Sequence, residues 1–191
     1  MLLLGHIGIT AGIIKGCAIL AAPAKPNNNR WWHRIISRAG AIDYRMVVVG
    51  SLLPDIIDKP AWFLANTVTG QPYLSGRDYA HTLLFILVLL AGGFILLRYR
   101  KSWLLVLSLG SLAHLVLDQL WQSPAVLLWP LLGPLVREET AGWLPGTLRA
   151  LFSQPEVYVP EIIWLIIIAL FAFRLVTRKG IAGFVRDGAI G

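Results

Sequence analysis

"LAHLVLDQLW", Leu112 to Trp121, lies in one of the most apolar parts of the chain, yet it carries His114 and Asp118. On a helix, residues i and i+4 lie one above the other on the same face. An imidazole and a carboxylate one turn apart in such a segment make one edge of a site. Ionisable groups in hydrocarbon are costly and face a cavity or a partner. The fold is decided by what surrounds this segment and by where the other edges come from.

The chain has 191 residues, which the usual length prior makes a single domain, 1–191. It is 57% hydrophobic and 14% charged, against roughly 25% charged for a soluble domain. Mean hydropathy is +0.68, which points to lipid as the solvent. The single cysteine, Cys17, excludes an intramolecular disulfide and a cysteine-based zinc cage, and reads as a small apolar packer.

Apolar stretches predict an all-α polytopic membrane protein. Four spanning helices are expected at about 1–21, 80–98, 102–120 and 157–176, with a short buried helix at about 41–53. The Pro-, Gly- and Trp-rich stretch 121–156 is expected to be an outer loop with re-entrant or interfacial helices. Residues 177–191 form a tail. "LAAPA", Leu20 to Ala24, resembles a small-residue cleavage site. The chain nevertheless has no basic region before Gly5, and Lys15 interrupts the apolar run, so an uncleaved N-terminus is expected.

Charge sets the expected orientation. The turn "RYRK", Arg98 to Lys101, joins two spans and belongs on the cytoplasmic side. Alternation then puts all of the 17 basic residues inside except Lys59, Arg77, Arg137 and Arg149. The N-terminus is expected outside and the C-terminus in the cytoplasm. The net charge of +7 is therefore a topology signal, with anionic headgroups as secondary partners, and nucleic acid is not expected.

The ionisable residues in or beside the apolar elements are His6, Asp55, Asp58, His81, His114 and Asp118. They come from four elements and fall on the outer side. At ~1.5 Å per residue, His81 and Asp118 each stand ~25 Å above the cytoplasmic turn, and His114 ~20 Å. Three imidazoles and three carboxylates suit zinc, manganese or iron, and the number allows one or two ions. Taken singly, each has a plainer reading. Asp55 after Pro54 could cap a turn, and Asp58 in "DKP" could be a loop acid. His81 could be interfacial, and His6 a packing residue. His33 reads as interfacial and Glu161 as a solvated helix start.

"GSLLPDIIDKP", "GRDYAHTLLF", "AHLVLDQLW" and "LLWPLLGP", as an ordered set, resemble the membrane-bound metal-dependent hydrolases. That family includes a LexA-regulated bacterial inner-membrane protein. The likeness runs from about His6 to Pro134, and it is distantly similar to zinc-dependent phospholipase C and zinc-dependent single-strand nucleases. It implies Asp55, His81, His114 and Asp118 as metal ligands, with His6 in addition. Many members read Pro-Asp-x-Asp, whereas here one more residue intervenes and the second acid is Asp58. At i, i+3 the two acids still share a helix face.

The expected function is thus a membrane-embedded hydrolase with a divalent ion, zinc foremost, and metal-activated water. The expected substrate is a phosphoester of a lipid or lipid-linked molecule at the extracytoplasmic leaflet. Asp55 and Asp58 are the candidate catalytic acids, Asp58 bridging ions or serving as general base, and Arg77 is the candidate phosphate ligand. The alternatives are a metal-stabilised scaffold or a metal-ion permease using the same His and Asp residues. Below His114 the fourth helix offers only Ser111, Ser108 and Ser102, a poor path for a cation.

Overall fold

The computed structural model describes residues 3–21, 42–69, 74–134, 143–177 and 180–188. Among these the chain is all-helical. Helix α1 is Leu3–Ala21, α2 Tyr44–Thr69, α3 Leu83–Arg98 and α4 Trp103–Leu117. A 3-10 turn at Leu120–Gln122 leads to α5, Pro124–Leu127. Then follow α6, Trp143–Ser153, α7, Pro155–Thr177, and α8, Ile181–Asp187. Helix α4 is central and packs along α2 and α3, while α1 touches α2, α4 and α7.

Two expectations need correction. The first concerns the spans. Among the described residues one helix is long and apolar enough to cross a membrane, Val157–Thr177 within α7, where four were expected. The other apolar helical stretches are shorter: Gly5–Ile14 within α1, Leu83–Arg98 and Trp103–Leu117. A span needs ~17 residues at least. The reason lies at the site. Ala80 to Thr82 are not helical, and α3 starts only where the Thr82 hydroxyl accepts from the Phe85 N–H at 3.1 Å. At the far end of α4, Asp118 closes the helix and Gln119 adopts a left-handed φ of 54°. Both expected spans lose a turn to the residues that carry the chemistry.

The second correction is to the short element at 41–53. It is the start of the longest helix, 26 residues, which runs through Pro54 and Pro60. Proline removes a helical N–H and so orphans the carbonyl four residues back. For Pro54 that is Gly50, and the Ser111 hydroxyl of α4 donates to the Gly50 carbonyl at 2.9 Å instead. A neighbouring helix supplies the missing bond, so the break does not occur. Close approach makes this possible. A Cβ on Gly50 would stand 2.3 Å from the Leu107 carbonyl oxygen, and one on Gly110 3.0 Å from the Gly50 backbone.

At the opposite end, Asp43 and Arg45 tie the start of α2 to α8. Arg45 is chelated by Asp43 at 2.7 and 2.9 Å. It also donates to the Val185 and Arg186 carbonyls at 2.5 and 3.1 Å. Those carbonyls lie at the negative end of α8, where a guanidinium is favourable. The cleavage-like "LAAPA", beyond Ala21, and His33 lie outside the described residues, as do 135–142 of the expected outer loop.

Candidate metal centre

The site grows from the α2–α4 contact. His114 is fully buried, and its Nδ1 lies 2.7 Å from the Ser51 carbonyl oxygen. A carbonyl only accepts, so Nδ1 carries the proton and donates. The lone pair is therefore on Nε2, aimed away from Ser51.

His81 reaches the same place from a loop built by two buried acids. The Asp58 carboxylate, 1% exposed, accepts from the backbone N–H groups of Asp78, Tyr79, Ala80 and His81 at 2.9 to 3.3 Å. Asp78, 2% exposed, accepts in turn from the N–H groups of Ser75 and Gly76 and from the Ser75 hydroxyl. These bonds shape 75–81 without any strand or helix. Asp58 also accepts a hydrogen bond from Nδ1 of fully buried His81 at 2.8 Å. Its Nε2 is again left facing inward. A histidine whose outer nitrogen is held by a carboxylate or carbonyl is the usual arrangement around a bound metal.

The two Nε2 atoms stand 3.4 Å apart. Imidazole nitrogens so close repel each other unless a proton or a cation lies between them. Asp55 Oδ1 closes a triangle, 3.5 Å from His81 Nε2 and 3.8 Å from His114 Nε2. Ligands held at ~2.0–2.1 Å around a tetrahedral zinc ion stand roughly 3.4 Å from one another. The donor set and its spacing fit a divalent ion, which Asp55, His81 and His114 would hold.

Asp118 and His6 adjoin this triangle. Asp118 Oδ2 is 3.9 Å from His114 Nε2, and Asp118 Oδ1 is 3.1 Å from His6 Nε2. The His6 ring stacks on that of His114, centroids 4.1 Å apart. His6, His114 and Asp118 make a second group of possible ligands, but it shares His114 with the first. With its Nδ1 on Ser51, His114 has one nitrogen to give, so it serves one ion.

Electrostatics follow from these contacts. Burial pushes the Asp55 carboxyl up, but the facing His81 ring and the Lys59 ammonium outweigh it and bring the pKa to about 2. Burial likewise opposes ionisation of Asp118, and His6 and Arg77 more than compensate, holding it well below the usual carboxylate range. For His81 burial works against the charged ring, while Asp55 and Asp58 raise the pKa above the ordinary histidine value.

All six expected residues, His6, Asp55, Asp58, His81, His114 and Asp118, meet in this one place. Arg77 is beside them, its Nη2 3.0 Å from Asp118 Oδ2. Three participants were not anticipated: the Ser51 carbonyl, Asp78, and Lys59, whose Nζ lies 2.5 Å from Asp55 Oδ2. Asp78 had a signal in "SGRD", a Ser-to-Asp spacing typical of turns, and Lys59 stands at i+4 from Asp55. A backbone carbonyl has no signal in the sequence. Glu161, expected to be a solvated helix start, is 7% exposed. Helix α7 begins at Pro155, which puts Glu161 well inside it. Three residues on, Trp164 lies against Gly8 of α1. Arg137, Glu138 and Glu139 lie outside the described residues.

No curated protein and no solved structure matches the chain. A family model does, over residues 1–181, nearly the whole length. With that match the chain belongs to the YdjM inner membrane protein family, and the His/Asp cluster is a feature of an inner membrane protein.

Proposed function

We propose that this inner membrane protein is a metal-dependent hydrolase acting on a phosphoester of a lipid or lipid-linked molecule. The observation that carries the reading is the pair of buried imidazoles, both fixed through Nδ1, with their Nε2 atoms 3.4 Å apart and Asp55 beside them. His81, His114 and Asp55 would hold one divalent ion, zinc foremost. Such an ion supplies Lewis acidity and lowers the pKa of a water towards ~7. Asp118, with His6 behind it, adjoins these three residues and would orient a water bound there. Asp58 orients His81 and holds 78–81 in place. Arg77, 53% exposed, is at the rim, where a guanidinium can pair with a phosphate oxygen.

The extracytoplasmic side is the proposed location of the site. Arg98, Arg100 and Lys101 lie in the turn between α3 and α4, and Arg45 lies at the start of α2. His81 precedes α3 and Asp118 follows α4, so the site is at the other end of both helices from the basic cluster.

Detergent-purified protein, assayed for metal by mass spectrometry and for phosphoester turnover with and without chelator, tests the reading. The expected result is about one equivalent of a divalent metal and turnover abolished by the chelator. Turnover that survives the chelator, or His114→Ala, contradicts it.

A further inference from the structure

Asp55 and Asp118, the two carboxylates beside His114 Nε2, each carry a cation as well. Asp55 turns Oδ1 towards His81 and His114 and gives Oδ2 to Lys59 Nζ at 2.5 Å. Asp118 turns Oδ2 towards His114 and shares that oxygen with Arg77 at 3.0 Å. The carboxylates are 12% and 5% exposed, but Lys59 and Arg77 are 41% and 53% exposed. The cations therefore stand on the exposed side of the buried cluster, Lys59 beside Asp55 and Arg77 beside Asp118.

They also arrive independently. Lys59 is on α2, one turn beyond Asp55. Arg77 is on the loop that Asp58 and Asp78 hold through backbone N–H groups. Gly76, at φ +83°, sits next to it over the Trp62 ring, where a Cβ would be 3.6 Å away. The rim continues into aromatic residues. Tyr79 meets Trp129 edge to face at 5.6 Å, and Trp121 is 57% exposed nearby in sequence to Asp118.

We infer that Lys59 and Arg77 form a two-sided receptor for a phosphate monoester, and that the site prefers this dianion over a phosphodiester. The inference rests on the hydrolase reading, because it counts the ion. A divalent ion with Lys59 and Arg77, set against Asp55 and Asp118, leaves a surplus of two positive charges among these groups. The Asp58 and Asp78 carboxylates are buried and engaged by backbone N–H groups, Asp58 also by His81 Nδ1. A terminal phosphate carries about −1.5 to −2 at neutral pH and offers three acceptor oxygens. Diesters, sulfate esters and carboxylates carry one negative charge. A lysine and an arginine then have separate oxygens to hold, Arg77 in a forked geometry and Lys59 as a point charge. The same chemistry occurs in a phosphorylated lipid headgroup and in a soluble phosphate monoester.

Metal-loaded, detergent-purified full-length protein, titrated with inorganic phosphate by calorimetry, gives the test. Lys59→Met and Arg77→Met are each expected to weaken phosphate binding by about tenfold or more while retaining metal. Lys59→Arg and Arg77→Lys should recover part of the loss. Micelles of phosphatidic acid, micelles of phosphatidylglycerol, and free glycerol 3-phosphate are then competed against phosphate. The monoesters should displace it better than phosphatidylglycerol. Stronger competition by phosphatidic acid supports the clamp with a lipid substrate, and stronger competition by glycerol 3-phosphate supports it with a soluble one. Metal retained with phosphate binding unchanged in both Met variants overturns the clamp alone, and so does phosphatidylglycerol competing as well as phosphatidic acid. Wild-type protein that binds no metal overturns the hydrolase reading and the dianion preference together.

Discussion

Helices α4 and α7 are alike in composition and opposite in use. Both are apolar runs with few charges, α4 of 15 residues and α7 of 23. Helix α7 exposes Ile162, Ile163, Leu165, Ile166 and Leu170, as a helix surrounded by lipid does. Helix α4 buries Leu105, Val106, Leu107, Ser108, Gly110, Ser111, His114 and Leu115. Its small and polar residues form the face against α2, and that face ends in the candidate metal centre. Hydropathy reads both helices as spans, because it sums over a helix and ignores which side each residue is on. The pattern that separates them is Ser-x-Gly-Ser-x-x-His in α4, where small side chains admit a backbone and polar ones find partners on it.

The sharpest way to break this contrast is to remove an α4 ligand and an α7 side chain in parallel. His114→Ala should reduce bound metal to background, whereas Leu165→Ala, on the exposed face of α7, should leave it unchanged. Mass spectrometry of the purified variants reads both. Next comes the seam. Gly50→Leu places atoms where the Leu107 carbonyl already stands, and should cost about 1–3 kcal/mol or more of stability. Gly146→Ala on α6, with nothing within 4 Å, should be neutral or slightly stabilising. Thermal unfolding in detergent distinguishes them.

Ser111→Ala should cost ~1 kcal/mol, because the Gly50 carbonyl orphaned by Pro54 loses its donor. Pro54→Ala returns an N–H to that carbonyl, so the Ser111 substitution should cost less in its presence. A double-mutant cycle measures the coupling, and strict additivity would remove the account of why α2 continues. The smallest effect is at the far end. The Arg45 hydrogen bond, against a smaller opposing effect of burial, lowers the Asp43 pKa below 3.8. Its stabilisation is present above that value and is lost as pH falls through the lower, folded-state value. Asp43→Asn should remove this acid sensitivity at a cost below about 1 kcal/mol, read as a flatter dependence of Tm on acid pH.

How much of this was legible in the sequence differs by residue. His114 and Asp118 announced themselves by standing in an apolar run at i, i+4, and the helical content and the meeting of the six His and Asp residues could be read from spacing. The number of spans could not. Residues 80–82 and 118–119 directly flank apolar runs and read as their continuation, and the Asp58 nest and the left-handed Gln119 take them out of the helices. Pro54 misled in the opposite direction. A proline ends an isolated helix, but the hydroxyl that offsets its missing N–H comes from Ser111, 57 positions further along in number and adjacent in space. The Ser51 carbonyl that fixes the His114 tautomer is likewise a product of that packing.

The central claim is that His81, His114 and Asp55 share one ion. X-ray absorption spectroscopy at the edge of the bound metal in the purified wild-type protein addresses it directly. The account predicts a first shell of nitrogen and oxygen at ~2.0–2.2 Å, with the outer-shell signature of two imidazoles falling to one in His81→Ala. A shell without imidazole, or one unchanged by that substitution, would contradict it.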